Sequence, residues 1–326
     1  MKIINHDIDS IEVTSANANW PITNVLDNFA LNYWKAVDNQ QTATIELHMP
    51  NFSPYCNAVY IGYTSANIAT LEIWNSAESA KLLSDISMYL IPFNFFSFLH
   101  QKQVIQSRES FQDFTNPSEQ SVLKLLLETT EITDLEITSG GTGYSAGNLT
   151  ATGGNGSGFR GTYTVNSSGV IDSVTIINPG IGYTSFSSST PTIVISDSGG
   201  TGAVITPKST LNAGIIRSGY AKEFSNPNYG FSESKKNSGI QINYIDGSIQ
   251  SINGRIRREF RITLNIDILE EENLKERLDF GMRNPIAIDC FNGERRGVLI
   301  GWIIGGPSYS RNQLNRITCS FNIREI

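Results

Sequence analysis

Two phrases in the middle of the chain have the residue types of a phosphate-binding loop: Gly141-Thr142-Gly143-Tyr144 and Gly180-Ile181-Gly182-Tyr183. A dinucleotide loop needs a strand before its glycines and a helix after them, so that the helix N-terminus meets the phosphate. Here Ala146-Gly147-Asn148 and Ser185-Phe186-Ser187 follow, which read as turn or strand. The glycines are therefore expected to build positive-φ turns with a tyrosine packed over each. No Walker-type Gly-Lys-Ser/Thr and no His-Glu-x-x-His occurs. The acidic run Glu270-Glu271-Glu272 suits a helix start, where carboxylates favour the dipole, and Asp85, Asp113 and Asp134 are scattered rather than paired for glycoside cleavage. His6, His48 and His100 stand apart from one another, and Cys56, Cys290 and Cys319 lack metal-ligand spacing, so buried free thiols and structural imidazoles are expected. No catalytic, cofactor-binding or metal-binding residues are assigned on this basis, and the chain is read as a non-enzyme.

Composition narrows the partners. The net charge of −7 argues against a general nucleic-acid binder. The basic run Arg255-Ile256-Arg257-Arg258, with Arg261 beyond it, would on a strand divide between two faces and form no single patch. Met1-Lys2 leads into a polar alternating run, without the apolar core of a signal peptide. Met88–Leu99, with Pro92 and Asn94 inside it, falls short of the ~20 apolar residues of a membrane span. Neither membrane insertion nor nucleic-acid binding is expected, and assembly in a cytoplasm is.

The elements that must position any site are mostly strands. Ile11–Thr14, Ala43–His48, Ala58–Tyr63 and Ala69–Trp74 alternate, with turn residues between them, as in an antiparallel sandwich. Phe93–Phe98 is dense in aromatics, either core or a partner-facing patch. Val122–Glu128 reads as a strand with a short helix as alternative, and it makes a natural sheet neighbour for Ala213–Gly219. Between them lies the repeat, in which Tyr144 and Tyr183 recur 39 residues apart. Residues 137–206 hold 15 of the 28 glycines, and their charged residues are Arg160, Asp172 and Asp197. In the last section, Ile240–Tyr244 and Arg261–Ile268 alternate. Leu269–Met282 then reads as a helix with Leu269, Leu274, Leu278 and Met282 on one stripe, stopped by Pro285. Strand candidates 286–291, 297–304 and 317–323 close the chain. The expected fold is mainly β. An N-terminal antiparallel β-sandwich (1–131 and 209–222) carries an inserted Gly-rich β-repeat domain (132–208), and a C-terminal α+β domain (223–326) has one clear helix.

The phrase Trp20-Pro21-Ile22-Thr23-Asn24-Val25-Leu26-Asp27-Asn28, followed by Tyr33-Trp34-Lys35 and the strand Thr42–Leu47, resembles the opening of galactose-binding-like (discoidin-type) sandwiches. The Gly-Tyr repeats, the strand Ala213–Gly219, the turn Phe224–Gly230, the segment Arg258–Phe260 and the run Arg261–Ile268, Leu274–Leu278, Gly281–Ile288 together resemble tail structural proteins of tailed bacteriophages. The chain departs from that class in its glycine insertion and in Asn284 before Pro285. The resemblance implies a virion tail component at the distal tail, baseplate or adaptor region, forming a cyclic homo-oligomer through its C-terminal unit and contacting other tail proteins. Two alternatives accompany it. One is a carbohydrate-binding tail module, with Trp20 or Trp34 lining a groove for a host-surface glycan. The other is a neck or tail-completion protein.

Overall fold

The computed structural model describes residues 1–4, 8, 10–27, 33–49, 56–75, 77–83, 85–88, 90–96, 104–114, 122–184, 186, 190–197, 199–224, 232–237, 240–243, 249–252, 256–290 and 298–326. The protein is mainly β, and the described residues hold one α-helix, Glu271–Arg283, entered through a 3-10 turn, Ile268–Glu270. No helix among the described residues is long and apolar enough to cross a membrane.

Period-two alternation builds the first sandwich sheet. Its strands are Ser10–Val13, Thr42–His48, Val122–Glu128, Ile68–Trp74 and Ile86–Ser87, in that order and antiparallel. Ile45, Leu47, Leu71, Ile73, Leu123 and Leu125 point inward, while Thr44, Glu46 and His48 lie on the other face. The facing sheet orders Ile215–Gly219, Ala58–Thr64, Val104–Asp113 and Ile91–Phe96. Val122–Glu128 and Ile215–Gly219 thus lie in opposite sheets of the sandwich, not side by side. Each satisfies its backbone with a different partner, because the chain crosses the sandwich rim between them. Ile91–Phe96 is a strand; its side chains, and all of residues 97–103, lie outside the described residues, and with them the reading of Phe93–Phe98 as core or partner-facing patch.

Every residue of Ala58–Thr64 and of Ile215–Gly219 is buried. Val59, Ile61 and Ile216 enter the sandwich core. On the other side Ala58, Tyr60 and Ile215 pack with Ile4, Ala287, Ile300 and Ile326 of the C-terminal sheet. That sheet orders Ala221–Glu223, Lys2–Ile4, Ile286–Asp289, Val298–Gln313, Arg316–Glu325, Ile256–Asp267 and Ser232–Asn237. Its far face packs Ile3, Ile286, Ile288 and Ile303 under Leu274 and Leu278 of the helix. The layers therefore run sheet, sheet, sheet, helix. Residues 2–4, expected in the sandwich, are a central strand of the C-terminal sheet instead. Consecutive Ile3 and Ile4 need a core on each face, and this layer supplies two. The Met1 ammonium is drawn in with them and donates to Phe224 O at 3.0 Å.

The helix stripe differs from the expected one. Leu269 precedes the helix in the 3-10 turn and is 85% exposed, and Met282 also faces out. Leu274 and Leu278 are buried together with Arg277 and Gly281. A Cβ at Gly281 would come 2.7 Å from Ile303, so the glycine lets the helix close onto the sheet.

In the repeat, Asp134–Thr142, Gly147–Thr152 and Arg160–Val165 are followed by Ile171–Asn178, Thr192–Ile195 and Thr201–Lys208. The first strand of each triplet pairs with the third strand of the other, and the two middle strands pair together. This is a pseudo-twofold exchange. Gly141, Gly143, Gly180 and Gly182 all have positive φ (61°, 78°, 68° and 83°). Tyr144 of the first copy covers Gly200 in the second, and Tyr183 of the second covers Gly156 in the first. The stems are tied by Thr133 N–H to Lys208 O (2.9 Å) and Ser209 O–H to Glu131 O (2.7 Å).

Candidate functional site

The sequence-marked side chains prove to be largely structural. Trp34 is fully buried, its indole N–H donating to Ser15 O at 3.0 Å. Trp20 stacks on Tyr33 with ring centroids 4.5 Å apart. Between them, the turn Ile22–Leu26 is held by buried Arg217, which donates to Val25 O (3.2 Å), Ile216 O (2.8 Å) and Asp27 O (2.8 Å). Burial lowers the Arg217 pKa to about 10. Arg217 therefore ties the Asn24–Asp27 phrase to the strand Ile215–Gly219 as a clamped turn.

The remaining candidates are dispersed. Cys56, Cys290 and Cys319 are buried free thiols, and burial pushes Cys290 up to about 12 and Cys319 to about 11. Arg258 pairs with Glu325 at 2.7 Å within its sheet, and Arg255 lies outside the described residues, as do His6 and His100. Asp85 meets Lys81 and Asp113 meets Lys2, both at 2.6 Å; the Asp134 carboxylate accepts from Leu135 N–H. Glu271 pairs with Lys275 at 2.5 Å in the first helical turn.

Sequence reasoning passed over Gly143-Tyr144-Ser145-Ala146-Gly147, which has the spacing of a nucleophile elbow. An elbow needs a strand-to-helix turn and a base. Ser145 instead sits exposed between two strands, with its backbone N–H donated to Asp197 Oδ2 at 2.7 Å.

The arrangement that only the fold assembles lies on the outer face of the five-stranded sheet. Register places side chains there in rows. Thr42, Glu128 and Ile68 form one row; Thr44, Leu126 and Thr70 the next; Glu12, Glu46, Lys124 and Glu72 the third. Val37, Gln40 and the Thr14-Ser15 segment wall the first two rows into a groove of about 590 Å³. The third row is a charged belt. Lys124 bridges Glu46 (2.9 Å) and Glu78 (2.5 Å) and lies 5.3 Å from the Trp74 ring centre. Burial works against its ammonium, yet the hydrogen bonds to Glu78 and Glu46 raise its pKa overall. Ligand atoms of Glu12, Glu46 and His48 lie within 4.8 Å of one another, a donor set able to share a divalent cation, although Lys124 already neutralises Glu46. The arrangement can hold a polar ligand. Among the described residues it sets no nucleophile beside a base.

No family model matches the sequence, and no curated protein does. Among solved structures, the X-ray structure of reduced XRCC1 bound to the DNA pol beta catalytic domain aligns at 15% identity over 39% of this chain and 87% of that one, with a TM-score of 0.27. Chitosan-binding module 1 of a Paenibacillus sp. IK-5 chitosanase/glucanase aligns at 11% identity over 37% of this chain and 98% of that one, with a TM-score of 0.22. Likenesses this slight leave function to be argued from the chain itself.

Proposed function

We propose that this chain is a non-enzymatic structural component of a tailed-bacteriophage tail, at its distal end, baseplate or adaptor region, and that its copies close into a ring through the C-terminal unit. The resemblance of its motifs to tail structural proteins supports the virion setting. The observation that carries the assembly reading is an exposed apolar pair at one end of that unit. Leu314, 97% exposed, occupies the turn of the hairpin Val298–Gln313 and Arg316–Glu325, and Leu269, 85% exposed, lies beside it. A backbone hydrogen bond from Ile268 N–H to Asn315 O joins the two turns that carry them. Two large apolar side chains held this far into water at one end of the unit suit a contact with another subunit. The edge strand Ser232–Asn237 suits one less, since Lys235 and Lys236 blunt strand addition. A contact between different patches of successive copies closes by rotation into a ring.

Light scattering on the eluting protein together with negative-stain microscopy tests this. A discrete cyclic species is expected, reduced to folded monomer by Leu314→Asp or Leu269→Asp. A wild-type chain that stays monomeric at every attainable concentration overturns the ring, and absence from purified particles overturns the virion role.

A further inference from the structure

We infer that Glu12, Glu46 and His48, on the outer face of the five-stranded sheet, bind one divalent first-row transition-metal ion such as zinc. Strand register assembles the set. Glu12 stands directly opposite Glu46 across the pair Ser10–Val13 and Thr42–His48, and His48 follows two residues along, on the same face as Glu46. One ligand atom from each of the three lies within 4.8 Å of the others. Zinc holds oxygen and nitrogen at about 2.0–2.2 Å, so neighbouring tetrahedral ligand atoms sit roughly 3.4 Å apart. Glu12 is exposed and the other two are half-buried. Rotation of the two carboxylate arms can therefore close the set while the strands stay in place.

A ring nitrogen and a charge imbalance point to the ligand. His48 Nε2 is shut off from solvent and has no hydrogen-bond partner among the described residues. Its cross-strand neighbours are Ser10 and Val122, neither of which pairs with it. The sheet's own hydrogen bonds thus leave this imbalance at a half-buried imidazole, where a polar atom ordinarily finds a partner. Like charges placed directly opposite on a sheet repel, as Glu12 and Glu46 do. Lys124 relieves Glu46 through Oε1, at 2.9 Å, and is shared with Glu78. Lys81 is taken up by Glu72 and Asp85. Glu12 has no ion pair among the described residues, and the Lys124 bridge leaves Glu46 Oε2 to take a cation. Calcium and magnesium take shells of oxygen. One imidazole with two carboxylates suits zinc instead, with a fourth position for water. The bound ion ties the edge strand Ser10–Val13 to Thr42–His48, whether or not the copies form a ring.

The test uses the full chain, stripped with a chelator and titrated with zinc, calcium or magnesium. Calorimetry, thermal melting and amide exchange over residues 10–13 are the readouts. One zinc per chain is expected, with a higher melting temperature and slower exchange in that strand; calcium and magnesium at the same concentration should do neither. His48→Gln and Glu12→Gln are each expected to weaken zinc binding at least about ten-fold. Glu12→Gln also controls for folding: in chelator it should melt no lower than wild type, because it removes a like-charge pair. His100→Gln, outside the set, should leave zinc binding unchanged. The inference fails if zinc does not bind, if His48→Gln or Glu12→Gln binds it like wild type, if calcium binds as tightly, or if His100→Gln weakens binding as much as His48→Gln.

Discussion

The reciprocal tyrosine clamps of the repeat make a sharp test of how its glycines work. A Cβ at Gly200 would overlap the Tyr144 ring, with Cε1 2.5 Å away, and one at Gly156 would overlap Tyr183. Ordinary carbon contacts lie at about 3.5–4 Å, so the ring would have to retreat by roughly 1 Å. Tyr163 meets the Tyr144 ring edge-on, with centroids 6.3 Å apart, and resists retreat on that side. Overpacking of this kind costs about 1–3 kcal/mol, the penalty expected of Gly200→Ala. Gly202 supplies the contrast. A Cβ there meets nothing closer than Gly141 Cα at 3.9 Å, but its φ is +77°, so Gly202→Ala carries a backbone penalty of about 1–2 kcal/mol with no clash. The two mechanisms separate in a double-mutant cycle with Tyr144→Ala, read by urea unfolding and by hydrogen exchange over residues 134–208. In the Tyr144→Ala background the Gly200→Ala penalty should disappear, and the Gly202→Ala penalty should persist. A neutral Gly200→Ala, or a penalty that survives removal of the ring, refutes the clamp. The pseudo-twofold predicts the same pattern for Gly156→Ala with Tyr183→Ala.

Arg277 donates from one nitrogen to Ile3 O (2.9 Å) and Tyr220 O (3.0 Å). Arg277→Ala should therefore cost about 2–3 kcal/mol in denaturant midpoint analysis and speed amide exchange in residues 2–4 above other sheet strands. Asp197 accepts from Ser145 N–H and Gly199 N–H, which holds its carboxyl below the ordinary 3.8. A depressed folded pKa gives stability that is present above the unfolded value and lost as pH falls through the folded one. Thermal melts of the wild type should fall as pH drops below 3.8, and Asp197→Asn should flatten that fall; identical profiles would remove the linkage.

The mainly-β fold was legible wherever one face of a strand is buried, as in Thr42–His48, because period-two alternation is a local property of the chain. The helix was legible through Leu274 and Leu278. Its stripe was misjudged at Leu269 and Met282, which face out, because buried Arg277 and Gly281 do not show in hydropathy. The Gly-x-Gly-Tyr turns were readable as positive-φ sites, since only glycine enters that region without strain. The exchange of partners between the two copies was not, because pairing is a choice between strands of nearly equal local preference.

By itself, then, the amino-acid order determined element type, the repeat and the free buried thiols, all consequences of residue chemistry over a few neighbours. Tertiary structure alone decided that Lys2–Ile4 joins a sheet whose other strands lie more than 200 residues away. It decided that Arg217 serves carbonyls near Val25, and that Thr14, Gln40, Thr70 and Glu128 share one groove. The physical reason is common to all three. Each depends on which strands lie side by side and in what register, and that is settled by burying apolar faces and pairing backbone groups across the whole chain at once.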